Sequence, residues 1–311
     1  MPASYVGQPV AETAHAPLVQ KPAPPTPKKK TAGPAFPCAV HESEVLLVIE
    51  AQNTTRTTKI AAIRRLIPPR LQPLARKTYY LFHGLLYVGR TYFCPCCAWH
   101  LRRFLPFRQI SGRGELCPRC GSFTRHRLTW LYLKNRTTFF SEVCRVLHFA
   151  PEFTLQRRLE ALDNIEYESA DLDSPWAQMR VDITHIPKPD GTYDVVLCSH
   201  VLQYVPQDRA AMREIYRILK PGGYAILQVP IRWNREQTYE DPTITTPEAR
   251  EKAFGHSDFV RIYGKDYPDR LKEAGFEVIV DQYVRTLKDD EITRYCLRRD
   301  ESLFVCWKRA A

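Results

Sequence analysis

The sequence predicts an α/β domain built on a mostly parallel sheet, and three observations lead to that expectation. Between Thr192 and Pro230 an apolar run, a helical pattern and a second apolar run follow one another. That order is a strand–helix–strand unit, whose two strands must lie parallel. From Val143 onward, apolar runs and helical patterns keep alternating. The last two predicted strands have no helical pattern between them, so they must pair as a hairpin and leave the final strand reversed.

Taken in order, residues 1–40 are rich in Pro and Ala, carry Lys28-Lys29-Lys30, and predict a disordered tail. Such a composition buries too little apolar surface to offset the entropy of ordering. Residues 41–90 read as a basic helical leader: a strand or short helix over 45–49, then helices over 60–66 and 74–86, with Pro68, Pro69 and Pro73 as breaks. Residues 91–140 gather the cysteines and a linking helix over 127–135. Residues 141–311 hold the sheet, with strands expected over 145–150, 165–172 and 179–186 and a helix over 153–162. Val195 to Cys198 form a strand buried on both faces. Ala211, Met212, Ile215, Tyr216, Ile218 and Leu219 recur at helical spacing, and Pro221-Gly222-Gly223 is expected to stop that helix. Strand 224–229 follows, then an insertion over 231–266 that reads as a lid. A helix over 267–274 ends at Gly275, and strands 276–283 and 302–307 complete a sheet of seven.

With 44% hydrophobic residues in 311, the chain can form one large core and a small one. Its net charge of +11 is unevenly placed: residues 1–140 hold 21 Lys/Arg against 5 Asp/Glu, a net of +16, and the rest hold 24 against 29, a net of −5. A basic half suits a polyanionic partner such as RNA, an anionic membrane surface or a phosphorylated substrate, or it is a solubilising surface. No run reaches the roughly 18 apolar residues that span a bilayer, and no signal peptide is read, so the expected location is cytoplasmic, with at most a peripheral membrane contact by basic residues 56–77. Ten cysteines in such a chain argue for metal or free thiols over disulfides.

Cys94, Cys97, Cys117 and Cys120 stand as C-x2-C, nineteen residues, C-x2-C. Two such knuckles close a tetrahedral zinc site as in zinc ribbons, and four thiolates leave no position for water, so the metal would be structural. Gly121 gives the second knuckle room to turn. Cys96 is an extra thiol that would make an awkward chelate with Cys97.

Tyr193-Asp194 opening a strand, and Arg217-Ile218-Leu219-Lys220-Pro221-Gly222-Gly223 closing the next helix, resemble the middle of class I S-adenosylmethionine-dependent methyltransferases. The cysteine segment, His148-Phe149-Ala150-Pro151-Glu152 and residues 254–263 are similar to a type 11-like bacterial group of that family with an N-terminal zinc-ribbon-like element. The likeness covers about residues 70–285. It implies a Rossmann-like class I methyltransferase sheet with its last strand antiparallel, S-adenosylmethionine as cofactor, and methyl transfer to an acceptor that the likeness does not name.

Cofactor in an open α/β sheet lies beyond the carboxyl ends of the strands. The family's G-x-G-x-G is absent there: Ala150, Glu152 and Thr154 occupy its glycine places and His148 that of its acid. The expected cradle is Ala150, Pro151 and Glu152, with Glu152 or the helix terminus meeting the methionine end. Asp171, with Asp173 as competitor, would accept from ribose hydroxyls or else cap a surface turn. The resemblance gives Asp182 the adenine amino group and Ile183 the ring. Ser199 and His200 would face the sulfonium and acceptor. His200 is either the base for an oxygen acceptor or a histidine satisfied by backbone groups.

In the insertion, Asp258, Arg261 and Tyr263 match the group's lid phrase. Arg261 either clamps an anionic substrate or belongs to a structural Asp–Arg pair. Polar residues mixed with aromatics suit a small polar acceptor. The alternatives are an RNA methyltransferase using the basic half and a non-catalytic zinc and α/β interaction module.

Overall fold

The computed structural model describes residues 72–106 and 114–310. The expected tail, and the leader's segments over 45–49 and 60–66, lie outside them. Helix α1 (Gln72–Leu85) runs into a hairpin of β1 (Val88–Cys94) and β2 (Trp99–Leu101). A shorter pair follows, β3 (Leu105–Pro106) with β4 (Gly114–Leu116), and then α2 (Thr124–Arg136). The sheet begins with β5 (Cys144–Phe149), α3 (Phe153–Leu159), β6 (Ile165–Asp171) and β7 (Met179–Arg180). It continues through β8 (Tyr193–Ser199), α4 (Asp208–Ile218) and β9 (Leu219–Gln228). The insertion holds β10 (Tyr239–Glu240), α5 (Pro247–Phe254) and β11 (Arg261–Ile262). Then come α6 (Tyr267–Glu273), β12 (Glu277–Asp281), α7 (Asp289–Arg294) and β13 (Leu303–Trp307).

The seven strands are ordered β12-β13-β9-β8-β5-β6-β7, and β13 runs antiparallel to both neighbours while β5 to β9 are parallel. The reversed last strand is therefore present. Its connection to β12 is not a bare hairpin, because a 3-10 turn at Tyr283–Thr286 and α7 lie within it. Helix α7 buries only Ile292, so it carries no apolar periodicity to be read. The third strand is also shorter than 179–186. After Arg180 the chain turns, with Asp182 Oδ1 accepting from the Thr184 N–H and hydroxyl at 2.8 Å each. Helix α4 ends at Ile218, before the Pro-Gly-Gly, because Leu219 is already extended (φ −71°, ψ 140°). The Pro-Gly-Gly instead opens β9. Gly222 sits at φ +81°, and its N–H donates to Lys308 O at 2.8 Å.

Alternation along the central strands separates two cores. Leu147, Val196 and Ala225 belong to the one shared with α4 and α6. Val146, Val195, Leu197 and Ile226 belong to the other, shared with α2 and with Cys94, Leu101 and Phe104 of the leader. Each such buried aliphatic contributes about 1.5–3 kcal/mol. The leader thus supplies part of one of the two layers that cover the sheet, and the boundary expected at residue 140 does not separate two cores.

Candidate functional site

Strands β5 and β8 are neighbours, but α3 packs in the leader-side core through Leu155 and Leu159 while α4 packs in the opposite one. The chain therefore diverges at their carboxyl ends, the switch point where open α/β sheets bind ligands. Ala150 and His200, the residues directly after these strands, both adopt left-handed backbone (φ +47° and +56°). A non-glycine residue there is strained by about 1–2 kcal/mol, and strain of this kind gathers at functional sites. Each is fixed by the next strand: the Ala150 N–H donates to Ala170 O at 2.9 Å and the His200 N–H to Gln228 O at 2.7 Å. Gln203 Nε2 adds a bond to His200 O at 2.8 Å.

Asp171 ends β6. Its Oδ1 accepts from the Asp173 and Ser174 N–H groups at 2.8 and 2.7 Å, which orients the carboxylate and leaves Oδ2 for another partner. Ser199 ends β8 and Pro151 is buried. Asp182 is exposed, whereas Ile183, expected on an adenine ring, is buried in the α4-side core.

Glu152 departs from its expected place. It is 3% exposed, with His148 Nε2 at 2.7 Å from Oε2 and His126 Nε2 at 3.4 Å from Oε1, so it faces inward and not toward a cofactor ammonium. His148 Nδ1 in turn meets the Tyr167 hydroxyl at 2.9 Å. Burial, with Arg125 nearby, pushes His126 down to about 4, and the Phe123 N–H donating to its Nδ1 fits the neutral ring. Between pH 6.5 and 4 the unfolded chain therefore binds a proton at His126 that the folded chain refuses. Stability is expected to fall by up to about 3 kcal/mol as pH drops through that window. Denaturant midpoints measured against pH, flattened by His126→Gln, check this. A slope unchanged by the substitution contradicts it.

The lid is docked. Arg261 is 3% exposed and every guanidinium nitrogen is engaged: Nε with Glu240 at 2.8 Å, the others with the carbonyls of Leu202, Val205 and Pro206. Asp208 Oδ2 takes the Tyr263 hydroxyl at 2.8 Å and Arg270 at 3.0 Å, and Arg261 Nε stands 3.7 Å away. Burial alone would raise the Glu240 carboxyl, but hydrogen bonds from Arg270 and Arg261 hold it below its usual value. Arg261 and Tyr263 thus fasten the lid to the loop after β8, which corrects the substrate-clamp expectation in favour of the structural pair. Asp258 is mostly exposed, beside His256. Asp208 and Arg270 were not singled out from the sequence, because partners 62 residues apart leave no local signal.

The four cysteine Sγ atoms lie within 4.8 Å of one another, with Cys94–Cys120 at 3.8 Å and Cys97–Cys117 at 3.9 Å. A tetrahedral ion with bonds of about 2.3 Å sets its sulfurs about 3.8 Å apart, so the set fits zinc. Both knuckles turn through left-handed backbone just after their second cysteine, at Ala98 (φ +52°) and Gly121 (φ +78°). A Cβ on Gly121 would lie 2.6 Å from the Tyr80 hydroxyl, so α1 also requires glycine there. Ser122 Oγ stands 3.2 Å from Cys94 Sγ and 3.3 Å from Cys120 Sγ. Cys96 is buried and outside the four.

Residues 158–227, from the end of α3 through β9, match the family model described as a methyltransferase domain. The chain carries a class I methyltransferase domain. It is 31% identical over 119 residues to the sterol 24-C-methyltransferase of Eremothecium gossypii, covering 37% of this chain and 30% of that one. It is 35% identical over 51 residues to the demethylmenaquinone methyltransferase of Chlamydia trachomatis, covering 16% and 22%. The chain therefore spans less than a third of the length of these relatives. The solved [4+2]-cyclase SpnF is matched over 77% of this chain and 97% of its own, at 15% identity and a TM-score of 0.43. Among the described residues no helix is long and apolar enough to cross a membrane.

Proposed function

We propose that this class I domain transfers a methyl group from S-adenosylmethionine to a small polar acceptor, and that its four clustered cysteines hold a structural zinc ion. The observation that carries the first reading is the switch point, where strained Ala150 and His200 flank the ends of β5 and β8 and Asp171 keeps one carboxylate oxygen available at the end of β6. The relatives named for a sterol and for demethylmenaquinone support a small acceptor. When bound, S-adenosylmethionine supplies a methyl group already activated on its sulfonium. The chain's task is alignment and exclusion of water. Asp171 Oδ2 would accept from the ribose hydroxyls, Asp182 would meet the adenine amino group, and Ala150 and Pro151 would hold the methionine end. Ser199 and His200 would stand on the acceptor side, where the His200 imidazole would be the group to take the acceptor's proton.

Among the described residues, Arg119, Arg125 and Arg127 each lie over an aromatic ring of the leader itself, so these three offer little to RNA. Titration calorimetry with S-adenosylmethionine tests the cofactor reading. Asp171→Ala is expected to weaken binding tenfold or more, since hydrogen bonds to a charged group are worth about 1.5–3 kcal/mol. Undiminished affinity in that variant removes Asp171 from the site, and a wild-type protein that binds no cofactor refutes the activity.

A further inference from the structure

Three consecutive residues behind the glycine-less loop each touch the cysteine-bearing leader. Glu152 is 3.4 Å from His126 on α2. The Phe153 ring stacks on Tyr80 of α1 with centroids 6.5 Å apart. The Thr154 hydroxyl donates to the carbonyl of Cys120, in the second knuckle, at 2.6 Å. Glu152 and Thr154 occupy two of the places where the family carries glycine, and both are buried, at 3% and 6% exposure. A side chain turned into the leader cannot also fill the cradle on the other side of the loop. The knuckle that receives Thr154 is itself shaped by the cysteine cluster, through the Gly121 N–H bond to Cys117 O at 2.8 Å and the Cys117 N–H bond to Ser122 O at 2.9 Å.

We propose that the metal-closed leader positions the cofactor loop, replacing glycine's backbone freedom with side-chain contacts from behind that hold residues 150–154 in their binding shape. His126, Tyr80 and the Cys120 carbonyl are positioning groups and touch no reacting atom. Glycine lets a loop approach a ligand closely but leaves it many conformations to lose. A loop pinned by Glu152, Phe153 and Thr154 has lost that freedom before the ligand arrives, so its preorganisation favours binding. The inference rests on the cofactor reading for its purpose and not for its geometry.

The test uses the full chain with its metal and two readouts, affinity for S-adenosylhomocysteine by calorimetry and amide hydrogen exchange over residues 149–156. Thr154→Val keeps the shape and removes the donor, and His126→Leu removes the Glu152 contact. Each is expected to weaken affinity about three- to tenfold, the worth of one buried hydrogen bond, and to speed exchange in the loop several-fold while β9 and β13 keep their protection. His126→Gln offers an N–H again and restores both readouts, which a merely stabilising residue would not require. Withdrawing the metal with a chelator speeds loop exchange in the same way. Wild-type affinity and wild-type loop exchange in both variants overturn the proposal. Should His126→Leu fail to fold, Thr154→Val decides alone. If the wild type binds no S-adenosylhomocysteine, the cofactor reading falls separately, and loop exchange still decides: no acceleration in Thr154→Val overturns the positioning role.

Discussion

Cys117→Ser is expected to strip the chain of its metal and to lower its thermal midpoint by about 10 °C or more. Cys117 is fully buried, and its sulfur sits 3.9 Å from that of Cys97 within the four-sulfur set. With three ligands left, a site of this type loses most of its affinity, and in small zinc modules the binding energy, about 10–16 kcal/mol, is folding energy. The loss would not stay local. Cys94, Leu101 and Phe104 share a core with Val146, Val195, Ile226 and Val305 of the sheet, so a loosened leader exposes one face of the central strands. Arg127 carries the damage further: fully buried, it bonds Glu115 O and Ser122 O beside the knuckle and Tyr295 O and Cys296 O before β13. A loss of about 5 kcal/mol corresponds to a shift of 10–20 °C for a domain of this size. Metal analysis should read about one zinc per chain in the wild type and near none in the variant. Cys96→Ser should keep the zinc, because its sulfur stands outside the set. Full zinc and an unmoved melting curve in Cys117→Ser would exclude the site.

How much of this was legible depended on whether a signal is local. Val195 to Cys198 are apolar on both faces, so the central strand was readable, and the cysteine spacing was readable because a knuckle closes within four residues. The reversed last strand followed from order alone, though α7 within its connection escaped notice, having one buried residue in six. Side-chain direction was not legible. Glu152 lies in the expected loop, but whether it faces the crevice or the leader depends on His148 and His126, the second of them 26 residues earlier. The leader's union with the sheet was hidden for the same reason. Its basic composition suggested a surface, whereas Arg127 is internal and bonded to residues 168 and 169 positions away.

Asp208→Asn is expected to destabilise the chain by about 3–5 kcal/mol, the usual result of removing one member of a buried ion pair. Asp208 Oδ2 is the meeting point of Arg270 at 3.0 Å, Arg261 at 3.7 Å and the Tyr263 hydroxyl at 2.8 Å, and the charged side chains are at most 7% exposed. An asparagine keeps the shape but leaves two guanidinium groups facing a neutral amide, with Glu240 and, for Arg270, Asp266 to balance them. Glu240→Gln should cost less, because its side chain is 37% exposed and water replaces part of what is lost. Arg261→Lys separates charge from geometry. A lysine restores the positive charge but cannot reach Glu240 and three carbonyls at once, since those bonds need the fork of a guanidinium. Its loss should appear first in the lid, as faster amide exchange over β10 to β11, before the sheet is affected. Denaturant unfolding ranks the three, with Asp208→Asn the most costly and Glu240→Gln the least. The lid would be held by something other than this network if Asp208→Asn unfolded within about 0.5 kcal/mol of the wild type, the scatter expected of a surface substitution.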